Sequence, residues 1–199
     1  MKEDKKLFTQ QAELLLTVLN QQRHDWLNHF QVLLGYLKLG RPDAGEAYLK
    51  RVTEETLQES MIARLQCPPL SVFFLTYNAL NHVLRLEVEV CNDVDLSSLT
   101  LGCDDFCQLV IDYVDVIENH VKEYQLDCPN LLISLITDEE SVTIKFDLAA
   151  VLSTSAAEEM EKLTGRCMNY GAVVCESIHN EEEWILALRF PFHEEEFSR

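Results

Sequence analysis

The feature that most constrains this chain is an apolar stripe near its N-terminus. Leu15, Leu19, Trp26, Phe30, Leu33 and Leu37 recur at spacings of three, four and seven, with Gln22 standing in the gap. That is a heptad-like seam. It predicts one long helix from about Leu7 to Leu39, a rod of roughly 45–50 Å. A single helix with such a seam is not stable alone in water, so the fold must supply partners. Gly40-Arg41-Pro42-Asp43 ends the rod: Gly40 suits the C-cap, while Asp43 and Glu46 suit a capping box that opens a second helix. This helix is expected over 44–65, with a thinner stripe of Ala44, Ala47, Tyr48, Val52, Thr56, Ile62 and Leu65. A hairpin with one apolar face is expected to bury it against a copy of itself, as a homodimeric four-helix bundle.

After Cys67-Pro68-Pro69 the period changes. Residues 70–84 read as a helix, and Arg85-Leu86-Glu87-Val88-Glu89-Val90 alternates as a half-buried strand does. Residues 103–123 are helical, with Phe106, Val110, Val114 and Ile117 on one face. Strands are predicted over 130–136 and 141–148, around Asp138-Glu139-Glu140. A helix follows over 155–165, ending near Gly165. A last hairpin, 173–177 and 184–190, turns around Asn180-Glu181-Glu182. The tail Glu194-Glu195-Glu196 is expected to be solvated. The fold class is therefore α+β: a helical hairpin in 1–66, then an α/β domain in 70–199 with four or five strands and helices on one face.

Charge supports that division. The net charge of -18 is not spread evenly. Residues 1–66 hold nine Lys/Arg and nine Asp/Glu, whereas residues 67–199 hold seven against 25. The step falls at the proline pair, a breaker, and sets the boundary. Such an anionic field repels polyphosphates and argues against nucleic-acid binding. No apolar run is long enough to span a bilayer, and the start lacks the pattern of a secretory signal, so a cytoplasmic protein with no membrane partner is expected. The seven cysteines are odd in number and scattered; they read as reduced, mostly buried thiols.

The chemistry is sought on the first helix. His24 lies two residues from Trp26, about 200° round the helix, and so points away from the seam. Asn20, Asn28 and Gln31 share its face, with Leu27 as an apolar edge. An imidazole attacks phosphorus through one nitrogen while the other keeps a proton, so a hydrogen bond sets the attacking tautomer. Asp25 or Asn28 is placed to make that bond, and Arg23 to neutralise phosphate oxygens. Pattern alone also fits an ordinary surface histidine. His29, nearer the seam, reads as a satisfied bundle histidine, and His82, His120, His179 and His193 form no cluster.

The segment Gln22-Arg-His-Asp-Trp-Leu-Asn-His-Phe-Gln31, followed by Leu34-Gly-Tyr-Leu-Lys-Leu-Gly-Arg41, resembles the helical hairpin of the sporulation initiation phosphotransferase B family. A related helix occurs in citrate- and dicarboxylate-type sensor histidine kinases. The resemblance implies a homodimeric four-helix bundle whose protomers each add a domain like a degenerate histidine-kinase ATPase domain. It implies a phosphorelay role in sporulation initiation. Phosphoryl groups would pass from the aspartate of a single-domain response regulator to His24, and on to a DNA-binding response regulator. On this likeness His24 is the phosphorylated residue, Arg23, Asp25, Asn28 and Gln31 surround it, and Asn20, Gln21 and Leu27 face the partner. Mg²⁺ arrives on the regulator, so no intrinsic cofactor or metal site is expected. The kinase pattern further needs a helix asparagine and an Asp-x-Gly-x-Gly turn. Tyr113 stands where the asparagine would fall, the six glycines never pair in that way, and neither a nucleotide site nor autokinase activity is expected. The alternatives are an ATP-dependent sensor kinase fragment and a non-catalytic dimer that binds a regulator.

Other candidates are weaker. Cys103 and Cys107 have a spacing that holds zinc on a helix, but without further ligands they read as core packing. Asp104-Asp105 and Asp112/Asp115 read as a solvated face rather than acid/base pairs.

Overall fold

The computed structural model describes residues 2–180 and 182–193; Glu181 and the tail Glu194-Glu195-Glu196 lie outside them. Two compact units result, 1–57 and 58–199.

The first unit is a helical hairpin. Helix α1 spans Lys2–Lys38. It stops where Gly40 adopts φ 63°, with Gly40 N–H donating to Leu37 O at 3.2 Å and Arg41 N–H to Tyr36 O at 3.0 Å. That is a Schellman closure. Helix α2 spans Pro42–Ile62, and its start corrects the expected capping box. Pro42 is already helical, as its fixed φ favours, so Asp43 lies in the first turn and Glu46 pairs instead with Lys50 at 2.9 Å. The helix also ends three residues short of Leu65. Gly45 is buried, and a Cβ built there would sit 3.4 Å from Cβ of Tyr36. The small residue lets α1 and α2 approach closely.

The heptad seam does not face α2. Leu15, Leu19, Trp26, Phe30 and Leu37 are all exposed. Val18, Gln21, His29, Leu33 and Tyr36 are half-buried instead. In a single chain the stripe is left outside because α2 covers a different arc of the rod.

In the second unit, helix α3 spans Pro68–Leu80. The prolines taken as a breaker open it, since Pro fits the first helical turn. It stops before residue 84 because Asn81 turns extended. Strand β1 (Arg85–Val90), a short 3-10 turn (Leu96–Ser98), helix α4 (Cys103–Tyr124), strands β2 (Asn130–Thr137) and β3 (Ser141–Leu148), helix α5 (Thr154–Asn169) and strands β4 (Val173–His179) and β5 (Trp184–Pro191) follow. The sheet order is β1-β2-β3-β5-β4. β1 lies parallel to β2, and the other pairs are antiparallel. Parallel pairing of neighbours in sequence requires a crossover, which α4 provides. Alternate residues Leu131, Ile133, Leu135, Val142, Ile144, Phe146, Leu148, Leu186, Leu188 and Phe190 are buried and join the core with the apolar faces of α3, α4 and α5. The outer edge of β1 is closed by side-chain amides: Leu86 N–H donates to Oδ1 of Asn78 at 2.9 Å and Val90 N–H to Oε1 of Gln58 at 2.9 Å. Blunting an edge in this way prevents strand addition.

Two expectations fail here. Helix α5 runs through Gly165, whose added Cβ would meet nothing within 4 Å. The terminator is Gly171 at φ 84°, with Ala172 N–H donating to Cys167 O at 3.2 Å. The cysteines are also not all reduced and mostly buried. Cys67 and Cys103 form a disulfide with Cα atoms 5.5 Å apart, while Cys91, Cys128 and Cys175 are free and exposed and only Cys107 and Cys167 are free and buried. The bond joins the start of α3 to the start of α4, a proximity that a scattered spacing does not reveal.

Candidate functional site

His24 sits in the middle of α1 with its side chain 67% exposed. Helix geometry alone assembles its neighbours, because residues three and four apart share a face. Nδ1 lies 3.2 Å from Nδ2 of Asn28, one turn on, and 3.6 Å from Oδ1 of Asp25. One ring nitrogen is thus held against two polar groups, and among the described residues no partner engages the other. The Asn28 amide offers either an N–H to a bare Nδ1 or, turned over, its carbonyl oxygen to an Nδ1–H. Asp25 is itself steadied, its carboxylate accepting from Nε2 of Gln21 at 3.0 and 3.3 Å. Arg23 does not turn toward the imidazole; its Nη2 donates to Oδ1 of Asn20 at 3.0 Å. Gln31 and Leu27 are exposed on or beside the same face.

His29 has a definite partner: its Nδ1 lies 2.8 Å from the hydroxyl of Tyr48 on α2. Its ring is edge-on to Trp26 at 5.9 Å. Tyr48 in turn meets Tyr36 at a tilt, ring centroids 6.0 Å apart, beneath the Arg51 guanidinium at 4.9 Å. The sequence reading gave His29 a structural place but missed Tyr48 as its partner. The only advance sign was Tyr48 in the α2 stripe.

The remaining candidates resolve into structure. Tyr113 is 1% exposed. Its ring lies 4.9 Å from Phe146 and its hydroxyl 2.9 Å from that of Thr164. Burial pushes the phenol well above its usual range, so the group is a neutral pin between α4, α5 and the sheet. Asp112 pairs with Arg166 of α5 at 2.9 Å, and Asp104 and Asp105 are exposed in the first turn of α4, where the helix dipole favours them. Cys103 is taken by the disulfide, which corrects its assignment to plain packing. Cys107 is a buried thiol, its pKa pushed up by burial and by Asp104. Tyr77 bonds Glu118 at 3.1 Å, and Glu118 also pairs with Lys122. No helix among the described residues is long and apolar enough to cross a membrane.

A helical hairpin bearing an outward imidazole, followed by a five-stranded α+β unit, defines the class. Two family models match it in succession: Sensor kinase SpoOB-type, alpha-helical domain, over residues 4–65, and Sporulation initiation phospho-transferase B, C-terminal, over residues 66–191. The chain belongs to the sporulation initiation phosphotransferase B family. Sporulation initiation phosphotransferase B of Bacillus subtilis (strain 168) is 34% identical over 85 residues, 42% of this chain and 44% of that protein. The match thus spans less than half of the relative's length. Among solved structures, the Acinetobacter baumannii histidine kinase AdeS aligns over 85% of this chain and 98% of its own, at 12% identity and a TM-score of 0.41. The histidine kinase ThkA, solved in complex with the response regulator protein TrrA, aligns over 88% and 61%, at 12% identity and a TM-score of 0.44.

Proposed function

We propose that this chain is a cytoplasmic phosphorelay phosphotransferase of sporulation initiation, carrying a phosphoryl group on His24 between response-regulator aspartates. The observation that carries the reading is the imidazole itself: exposed, mounted on a helix, with Nδ1 beside Asn28 and Asp25 and no partner for Nε2 among the described residues. With the proton on Nδ1, held by the Asn28 carbonyl oxygen or by Asp25, the Nε2 lone pair faces the incoming acyl phosphate. The N–P bond forms as the aspartyl O–P bond breaks, and the regulator's carboxylate leaves. The Nδ1 proton stays on the ring, where Asp25 offsets the positive charge of the phosphorylated imidazole. The same steps reversed load the next regulator. Phosphoryl transfer depends mainly on positioning and charge stabilisation, and a helix supplies the first.

The donor is a single-domain response regulator and the acceptor a DNA-binding one. Each brings its own Mg²⁺ in an acidic pocket, and this chain contributes no cofactor, metal site or nucleotide site. An acidic pocket meets less repulsion at the neutral hairpin than at the anionic second unit. The working unit is a homodimer, the exposed seam of α1 being covered by a second copy in a four-helix bundle; Asn20, Gln21 and Leu27 form the surface the regulator meets, and Gln31 belongs to the surround of His24.

The test is transfer from a regulator labelled at its aspartate. His24→Gln should abolish labelling of the chain, a loss of at least about a thousandfold, while the elution volume of the protein stays unchanged. A His24→Gln variant that still accepts and passes phosphate overturns the reading. Stoichiometric labelling of the pure wild-type chain by ATP, without a regulator, would favour a sensor kinase instead.

A further inference from the structure

We propose that Tyr48, through its hydrogen bond to His29, is a positioning residue that sets the direction in which His24 points. This inference rests on His24 being the phosphoryl carrier. His29 follows His24 by five residues, about 140° round the rod, so one faces α2 while the other faces outward. Whatever fixes the rotation of α1 against α2 therefore fixes the azimuth of His24. Tyr48 is placed to do this. Its hydroxyl lies 2.8 Å from Nδ1 of His29, and its ring meets Tyr36, two turns further along α1, at 6.0 Å. The Arg51 guanidinium covers it at 4.9 Å. Gly45, one turn earlier on α2, brings the helices close at Tyr36. Ring packing against Tyr36 is tilted, with centroids 6.0 Å apart, and tolerates a range of angles, whereas the hydroxyl–imidazole bond is the more directional contact and selects one rotation.

Small rotations matter. A side chain about 6 Å from the helix axis moves by about 2 Å when the helix turns 20°. A misplacement near 1 Å at a reacting centre costs up to about a hundredfold in rate. Binding of a regulator draws on a broad surface and tolerates such a shift better than the in-line approach of nitrogen to phosphorus does.

The experiment uses the full-length chain and two phosphoryl donors. Phosphoramidate labels histidine directly and needs no docked geometry. The second donor is the single-domain response regulator that exchanges phosphate fastest with the wild-type chain, charged with acetyl phosphate. Tyr48→Phe, which keeps the ring and removes only the hydroxyl, should lower kcat for the regulator reaction about tenfold and leave KM within about twofold. Its phosphoramidate labelling and helix content should match wild type. His29→Gln, whose amide can still meet the hydroxyl, should retain more of kcat than His29→Ala. Transfer by Tyr48→Phe at the wild-type rate overturns the inference, and so does phosphoramidate labelling that falls in step with kcat. If wild type labels with phosphoramidate but exchanges with no regulator, the carrier reading itself is overturned and this inference falls with it.

Discussion

In residues 1–57, Phe8, Leu15, Leu16, Phe30 and Leu37 stand more than half exposed, while in residues 58–199 Phe106, Phe146, Phe190, Leu131 and Ile133 are almost completely buried. The same residue types meet opposite fates in one chain. The second unit builds a closed core: a sheet, three helices and a pinned tyrosine enclose these side chains, though Val72, Met168 and Val173 remain exposed on its surface. The hairpin builds no such core, because two helices cover only one arc of each other, and a row of large apolar side chains along α1 stays exposed. Charge divides the same way, neutral in 1–66 and deeply anionic beyond. The candidate chemistry stands on the hairpin, whose apolar stripe a single chain leaves uncovered.

The strongest way to break this contrast is to spoil the seam. Leu19→Asp places a carboxylate in each copy where we propose that two chains meet. An unpaired buried charge costs several kcal/mol, so self-association should weaken by more than about a thousandfold, roughly 4 kcal/mol. Sedimentation equilibrium of the full-length chain would read this as monomer for the variant and dimer for wild type. An unchanged dimer would mean that the exposed seam is not the interface. A control in the closed unit sharpens the point: Val173→Asp, at an exposed position of the edge strand β4, should leave association untouched.

The next effect belongs to the closed unit. The Cys67–Cys103 bond spans a sequence separation of 36, and closing a loop of that length removes enough unfolded-state entropy to contribute about 4 kcal/mol. Cys67→Ser should lower the unfolding free energy of the second unit by about that amount in urea titrations. Wild type in excess reductant should then match the variant. Equal stability of wild type with and without reductant would show that the bond does not contribute.

What could be read from the sequence divides along local and tertiary lines. The polar strip of Asn20, His24, Asn28 and Gln31 was legible because one helix fixes it: His24 and Asn28 are a turn apart wherever α1 packs, and Nδ1 and Nδ2 accordingly lie 3.2 Å apart. The alternation of β1 and the turn at Asp138 were legible for the same reason. The Asp138 carboxylate accepts from Glu140 N–H at 2.9 Å and Ser141 Oγ at 2.8 Å, as a short polar turn demands. A period, however, tells which residues share a stripe and not what covers it. The arc of α1 that meets α2, and hence the Tyr48 partner of His29, was therefore out of reach. The disulfide depends on α3 and α4 starting side by side, which connectivity alone does not determine. Gly165 misled because glycine is tolerated inside a helix at modest cost, and only Gly171 takes the positive φ that ends α5.

The smallest effect concerns the charge that the closed unit accumulates. On α4, partial desolvation raises the pKa of Asp115 above its ordinary 3.8, with repulsion from Glu118 and Asp112 adding to the shift and Lys122 opposing it. A raised carboxyl pKa means that the folded chain holds the proton more tightly than the unfolded one. Between 3.8 and the raised value the folded state binds more protons, so this group's contribution falls as pH rises through the window and stays unfavourable above it. Asp115→Asn removes the titration and keeps the size. Asp115 is solvent-exposed, so screening discounts the gain, and the variant should be more stable at pH 7 by on the order of 0.5 kcal/mol. The advantage should vanish once the pH falls below the ordinary carboxylate value, where both forms are neutral. Urea titrations across that range would show the two stability curves converging on the acid side. Parallel curves, or a less stable variant at pH 7, would mean that the anionic face of α4 is held by attractions that outweigh its self-repulsion, and that the closed unit tolerates its charge for a reason other than solvation.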